Sequence, residues 1–187
     1  MKNILTLLII LILLGACARQ SDLSVYNDTS HSIRVILNGT IYQILQNDPP
    51  VAVVETYYLN SFILFGETID VPIIIEGQTY LEPKEFTIKM KPGKDRSYHV
   101  VLDRAGLQIN NASLVPISVV QLRNEGEEDW SENVIDDTLY TETSSSVLSI
   151  IPDYDYIKMT DIFETEYPEE FIEFNAGETT TYIFFGI

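Results

Sequence analysis

The side chains in this chain that could do chemistry near neutral pH are mostly carboxylates. Asp136, Asp137, Asp153, Asp155 and Asp161, with the run Glu127 to Asp129, are candidate ligands for calcium, a hard cation that collects carboxylate and carbonyl oxygens from loops. None follows the EF-hand pattern of regularly spaced acids, a central glycine and a closing glutamate, and a solvated, self-repelling acidic surface explains the same residues. Paired carboxylates also cleave glycosides when two of them face each other across a cleft at ~5 to 9.5 Å, a separation that sequence does not reveal. The general-base candidates are His31 and His99. His31 falls in a polar turn, and His99 alternates with Tyr98 and Val100, which turns it away from a core. Ser144 to Ser146 lack the Gly-x-Ser-x-Gly setting of a nucleophile elbow. The single tryptophan, Trp130, sits among Glu127, Glu128, Asp129 and Glu132. It reads either as an exposed aromatic anchor for a protein or glycan ligand or as a residue packed down at the start of a strand while its acidic neighbours stay in water. On balance no catalytic residue is expected.

Charge narrows the partners. From Ala18 to Gly106 there are 11 acids and 8 bases, whereas from Leu107 to Ile187 there are 17 acids against only Arg123 and Lys158. A field of that sign repels phosphate backbones, so nucleic acid is excluded as a partner class.

The elements that must position these side chains read as strands. Leu23, Val25 and Asn27 alternate, as do Ile33, Val35 and Leu37, then Ile88 and Met90, then Tyr98, Val100 and Leu102. Asn38-Gly39, Glu76-Gly77 and Lys91 to Lys94 supply turn chemistry between them. The 11 tyrosines and 8 phenylalanines suit a pleated surface. Val71 to Ile75 and Tyr182 to Phe185 are apolar on both faces and are expected to be covered twice.

The pattern also repeats. Leu23, Val25, Asn27, Thr29, Ile33 and Val35 recur 84 positions later as Leu107, Ile109, Asn111, Ser113, Ile117 and Val119, and Met90, Gly93 and Tyr98 recur as Phe174, Gly177 and Tyr182. Two separate segments in the same order and spacing point to tandem duplication. The predicted fold is therefore all-β, two tandem antiparallel β-sandwich modules of immunoglobulin-like architecture, 23–104 and 105–187. Asn27, Asn38 and Asn111 each open an Asn-x-Thr/Ser triplet, and the duplication of two of them in the strand-turn segment favours an Asx turn over glycosylation.

Ahead of the modules, Lys2 precedes the apolar run Ile4 to Leu14, which is too short to span a bilayer and leads into Leu14, Gly15, Ala16 and the lone Cys17. This resembles the signal peptide and lipobox of bacterial lipoproteins. The resemblance implies cleavage after Ala16 (residues 1–16 removed), acylation of Cys17, a tether over 17–22, and a membrane partnership through the acyl chains. With Ala18 after the cysteine, it also implies an outer-membrane destination where a cell has two membranes. No thiol then remains for a disulfide or a soft metal site. The stretch from Leu107 to Phe163, with Asp129 to Ile135 followed by Tyr154 to Asp161, is similar to a loosely defined module of uncharacterised secreted lipoproteins. The expected function is non-enzymatic binding or structural support in the envelope, with an envelope protein or glycan as partner. A calcium-stabilised adhesin or assembly subunit and a carbohydrate-active enzyme are the alternatives.

Overall fold

A computed structural model describes residues 17–46, 51–61 and 66–186, and every regular element among them is a strand. The expected signal peptide, including Leu14, Gly15 and Ala16, lies outside the described residues. The chain divides into two compact units. One holds the described residues up to Glu76 together with Pro83–Val101, and the other holds Gly77–Glu82 and everything from Leu102.

In the first unit β1 (Cys17–Asn27) pairs antiparallel with β4 (Val51–Ser61) and parallel with β7 (Arg96–Val100). A second sheet has the order β3 (Thr40–Ile44), β2 (Ile33–Leu37), β5 (Ile69–Ile75), β6 (Lys84–Met90). Leu23 and Val25 from one sheet, and Val35, Leu37, Ile73 and Ile75 from the other, have no exposed surface. Each such side chain contributes about 1.5–3 kcal/mol of apolar burial. The β2–β3 hairpin turns on Asn38 and Gly39, with φ of 47° and 82°. That is the double positive-φ turn whose twist matches two antiparallel strands.

The second unit repeats this plan. β8 (Ala105–Asn111) is flanked by β10 (Thr143–Ser144) and β11 (Leu148–Ile150) on one side and by β14 (Thr179–Phe184), parallel, on the other. The other sheet runs β13 (Glu170–Phe171), β12 (Tyr156–Asp161), β9 (Ile117–Arg123). One contiguous core takes Leu107 and Ile109, Val120 and Leu122, and Ile157 and Met159 from the two sheets. The fold is thus all-β and immunoglobulin-like in architecture, with first and last strands as parallel neighbours in both units.

The 84-residue step survives in the pairing itself. Leu23 faces Arg96 and Asn27 faces Val100; Leu107 faces Thr180 and Asn111 faces Phe184. Ile33 opposite Ile44 becomes Ile117 opposite Leu139, where the first residue keeps the 84-residue step and its partner lies 95 positions on. β12 falls one residue out of step: Leu37 faces Ile73, but Gln121 faces Lys158. The β9–β12 ladder then shifts register between Thr160 and Asp161, a bulge in β12.

Three expectations need correction. Residues 17–22 are not a free tether but the first half of β1, paired residue for residue with Ser61 back to Thr56. The cause is β4, whose Thr56, Tyr57, Tyr58 and Leu59 favour extended backbone, and Ser21, fully buried, whose Oγ donates to the Lys91 carbonyl at 2.7 Å. Residues 77–82, read as part of the first module, belong to the second unit: the Tyr80 carbonyl accepts the amides of Asp103 and Arg104 at 3.3 and 3.1 Å. Finally, Tyr182 to Phe185 is not covered on both faces, since Ile183 is 47% and Phe185 71% exposed.

Candidate functional site

The acidic candidates do not converge. Asp161 is buried at the β12 bulge, where its Oδ1 accepts the amides of Phe163 and Thr165 at 2.8 and 2.9 Å and its Oδ2 accepts the Tyr167 hydroxyl at 3.1 Å. Burial pushes this carboxyl up, but the Thr165 and Phe163 amides and the Tyr167 hydroxyl outweigh burial and hold it below its ordinary value. Asp155 accepts the Glu125 amide at 2.8 Å, and Asp153 lies exposed in the turn before β12. Asp136 and Asp137, both exposed, border a recess of about 290 Å³ with Ser144 to Ser146. Among the described residues no group of three His, Cys, Asp or Glu side chains could hold a metal ion. Asp161 acts as a turn clamp, its oxygens turned to backbone amides.

That clamp predicts a pH dependence. Because the folded carboxyl titrates below the unfolded value of about 3.9, its contribution is fully present above that value and is lost as pH falls through the folded one. Asp161→Asn keeps an oxygen for the amides but loses the charge and sets an amide nitrogen against the Tyr167 hydroxyl. We expect a lower Tm than wild type at pH 7, with the gap closing below about pH 4. Thermal melts across pH check it, and a gap that stays constant down to pH 3 would refute the clamp.

The histidines are likewise engaged. His99 Nδ1 lies 2.6 Å from Asp28 Oδ2 and its ring stacks on Tyr26 with centroids 4.7 Å apart, while His31 Nδ1 lies 3.0 Å from its neighbour Ser30 Oγ in the turn after β1. Ser145 Oγ accepts the Ile109 amide at 3.0 Å and donates to the Ser146 carbonyl, holding the chain against β8.

Trp130 is where two of the second unit's cations meet, the third, Arg104, being paired with Glu82 at 2.6 Å. It lies in the irregular stretch between β9 and β10, not at a strand start, and is half-buried. The Arg123 guanidinium and the Lys158 ammonium each sit 4.9 Å from its ring, so the only two bases from Leu107 onward meet on one indole. Arg123 ends β9 and Lys158 sits in β12, on the sheet face opposite the core residues Leu122 and Ile157. Arg123 also approaches the Tyr156 ring at 5.2 Å and pairs with Glu169 at 2.8 Å, and Lys158 pairs with Glu166 at 3.6 Å. Tyr156 in turn meets Phe171 edge-on, and Phe171 is 66% exposed. The result is a patch of three aromatic rings and two cations on the outer face of the β13-β12-β9 sheet. Sequence reasoning picked Trp130 and missed its partners; the outward phase of Arg123 and Lys158, the only two bases from Leu107 onward, was the available signal.

Beside the patch the edge of β9 is sealed. Ser131 Oγ accepts the Leu122 amide at 2.9 Å, Asn133 Oδ1 accepts the Val120 amide at 2.8 Å, and the Ser131 and Val134 amides donate to the carbonyls of Leu122 and Val120. Side chains and loop backbone here stand in for a paired strand, occupying the place that β3 holds in the first unit.

Comparison with known protein families and with curated proteins returns no match. Among solved structures, the chain is similar to the Bacillus anthracis TIE protein, at 9% identity and a TM-score of 0.33 over 90% of this chain and 34% of that one. It is also similar to GBS52, the minor pilin of the gram-positive pathogen Streptococcus agalactiae, at 6% identity and a TM-score of 0.29 over 89% of this chain and 94% of that one. The chain spans about a third of the length of the TIE protein. Likeness of this degree assigns no role to any residue.

Proposed function

We propose that the chain is a lipid-tethered protein of the bacterial envelope that works by contact with another macromolecule, an envelope protein or a glycan, and not by catalysis. The observation that carries the binding half is the Trp130 patch. Phe171 and Tyr156 offer aromatic surface of the kind that anchors interfaces, on a sheet face whose neighbouring carboxylates are partly neutralised by Arg123 and Lys158. The absence of catalysis is supported by the side chains that could do chemistry, since the calcium-ligand candidate Asp161, Ser145 and the general-base candidate His99 are each engaged with the fold. The tether rests on Lys2, the apolar run and Cys17.

Two measurements on cells test this. Cys17→Ala is expected to move the chain from the membrane fraction to the soluble fraction. A photo-crosslinking side chain at position 171 is expected to capture a single neighbour that the same probe at Thr87, exposed on the first unit, does not capture. A Cys17→Ala chain that stays with membranes would sink the tether, and identical capture from both positions would sink the patch.

A further inference from the structure

We infer that β14 is a docking edge for an extended, basic polypeptide segment, which adds to it as a further strand and places alternate side chains in the groove beside it.

β14 pairs only with β8 among the described strands. The Gly106 amide donates to the Glu178 carbonyl and the Ala112 amide to the Phe184 carbonyl, so the even-numbered residues of β14 direct their backbone groups to β8. By the alternation of a parallel ladder, the N–H and C=O groups of Thr179, Thr181 and Ile183 point to the open side. Open edges are normally blunted by lysine, proline, a bulge or a covering loop. β9 has its loop, and β7 carries Arg96. The sequence of β14, Thr-Thr-Thr-Tyr-Ile-Phe, has no charge and no proline, and Phe185 follows it.

Alongside the edge lies a groove of about 370 Å³, walled by Tyr182 and Phe184 from β14, Ile157 and Met159 from β12, and Tyr167 and Pro168. This is the arrangement that strand addition uses, with backbone hydrogen bonds for attachment and a pocket for every second side chain. Charge decides what fills it. Glu170 lines the groove, and the adjoining chain carries Glu164, Glu173 and Glu178, all exposed, beside Glu166 and Glu169, which Lys158 and Arg123 partly neutralise. A second copy would bring the same acids to the same edge, and the chain's net charge of −17 opposes that. A segment alternating apolar and basic residues meets both the groove and the field.

The inference rests on the binding reading above and is tested apart from it, on the purified full chain in detergent micelles. The probe is an eight-residue peptide alternating lysine and valine, with a glutamate-valine peptide as its charge control. We expect the lysine peptide alone to bind, and to slow hydrogen exchange at the amides of Thr179, Thr181 and Ile183. Ile183→Pro removes one outward N–H without touching the β8 ladder, a position where an edge strand tolerates proline, and is expected to weaken binding at least tenfold. Should that variant fold poorly, the same peptide N-methylated on alternate residues, made in both registers, keeps the test on the wild-type chain: one register is expected to abolish binding. Equal binding of the two unmethylated peptides, binding unaffected by Ile183→Pro and by methylation in either register, no binding at all, or a wild-type dimer dissociated by Ile183→Pro would each overturn the proposal. Membrane fractionation of Cys17→Ala is untouched by any of these outcomes, so this site and the tether fail separately.

Discussion

Asn111→Ala is expected to destabilise the second unit by about 3–4 kcal/mol, among the larger effects a single side chain can have. Asn111 is fully buried and makes four hydrogen bonds at once. Its Nδ2 donates to the carbonyls of Val115 and Leu139 at 2.8 and 2.9 Å, and its Oδ1 accepts the Ser113 amide and hydroxyl at 3.0 and 2.6 Å. Alanine removes all four, each worth about 1 kcal/mol net, and leaves the Ser113 amide without its partner where water does not reach, while the Val115 and Leu139 carbonyls keep one donor each in the Ser113 hydroxyl and the Ile117 amide. Asn111→Asp, nearly the same shape, is expected to do as much damage, because a carboxylate turns an acceptor on the carbonyls that need a donor. Asn27 is the same device in the first unit, with Nδ2 on the His31 and Ile44 carbonyls and Oδ1 on the Thr29 amide and hydroxyl. Asn27→Ala should therefore match it within a factor of two. Denaturant melts followed by unit-specific probes, Trp130 fluorescence for the second unit, check both; an Asn111→Asp variant as stable as wild type would refute the donor requirement.

The second large effect is expected at Gly106, where β8 begins. A Cβ there would meet Thr179 Oγ1 at 2.7 Å, Val147 Cγ1 at 2.9 Å and Tyr80 Cε1 at 3.1 Å, three side chains from three segments. They cannot all withdraw freely, because the Tyr80 hydroxyl and Thr179 Oγ1 are themselves hydrogen-bonded at 2.5 Å. Gly106→Ala is expected to cost about 3 kcal/mol through overpacking and to loosen the first rungs of the β8–β14 pairing. Gly126→Ala provides the contrast. Its φ is +80° but nothing lies within 4 Å of the added carbon, so only the backbone penalty of about 1–2 kcal/mol applies. Paired melts that rank Gly126→Ala as the worse of the two would show that crowding at Gly106 is relieved.

The strands and their duplication were legible because each carries its information locally. Alternation marks Leu23, Val25 and Asn27, the Asn38-Gly39 dipeptide dictates its turn, and the buried pair Asn27 and Thr29, repeated as Asn111 and Ser113, announces an Asx turn that the hydrogen bonds bear out. Burial at both asparagines also explains why their triplets serve the turn. What was not legible depends on which strands become neighbours. Trp130 meets Lys158 only because β9 and β12 pair, and Asp161 reads as a cation ligand until the bulge turns it toward the Phe163 and Thr165 amides. Nor does composition separate a strand covered on both faces from an open edge. Tyr182 to Phe185 looks alike in either setting, and the difference lies in what packs on it: Ile183 and Phe185 stay exposed, and β8 is the strand that pairs with β14 among the described residues.

Pairing the first strand of each unit with its last also bears on how the molecule can be made. Leu23 waits for Arg96, and Leu107 for Thr180, each 73 positions further on. A chain emerging N-terminus first from a narrow exit can close the Asn38-Gly39 hairpin as soon as it appears, but β1 and β8 keep one flank bare until the whole unit has passed. Folding is thereby coupled to completion of each unit, and a stall just short of β7 or β14 would leave the longest-lived sticky intermediate.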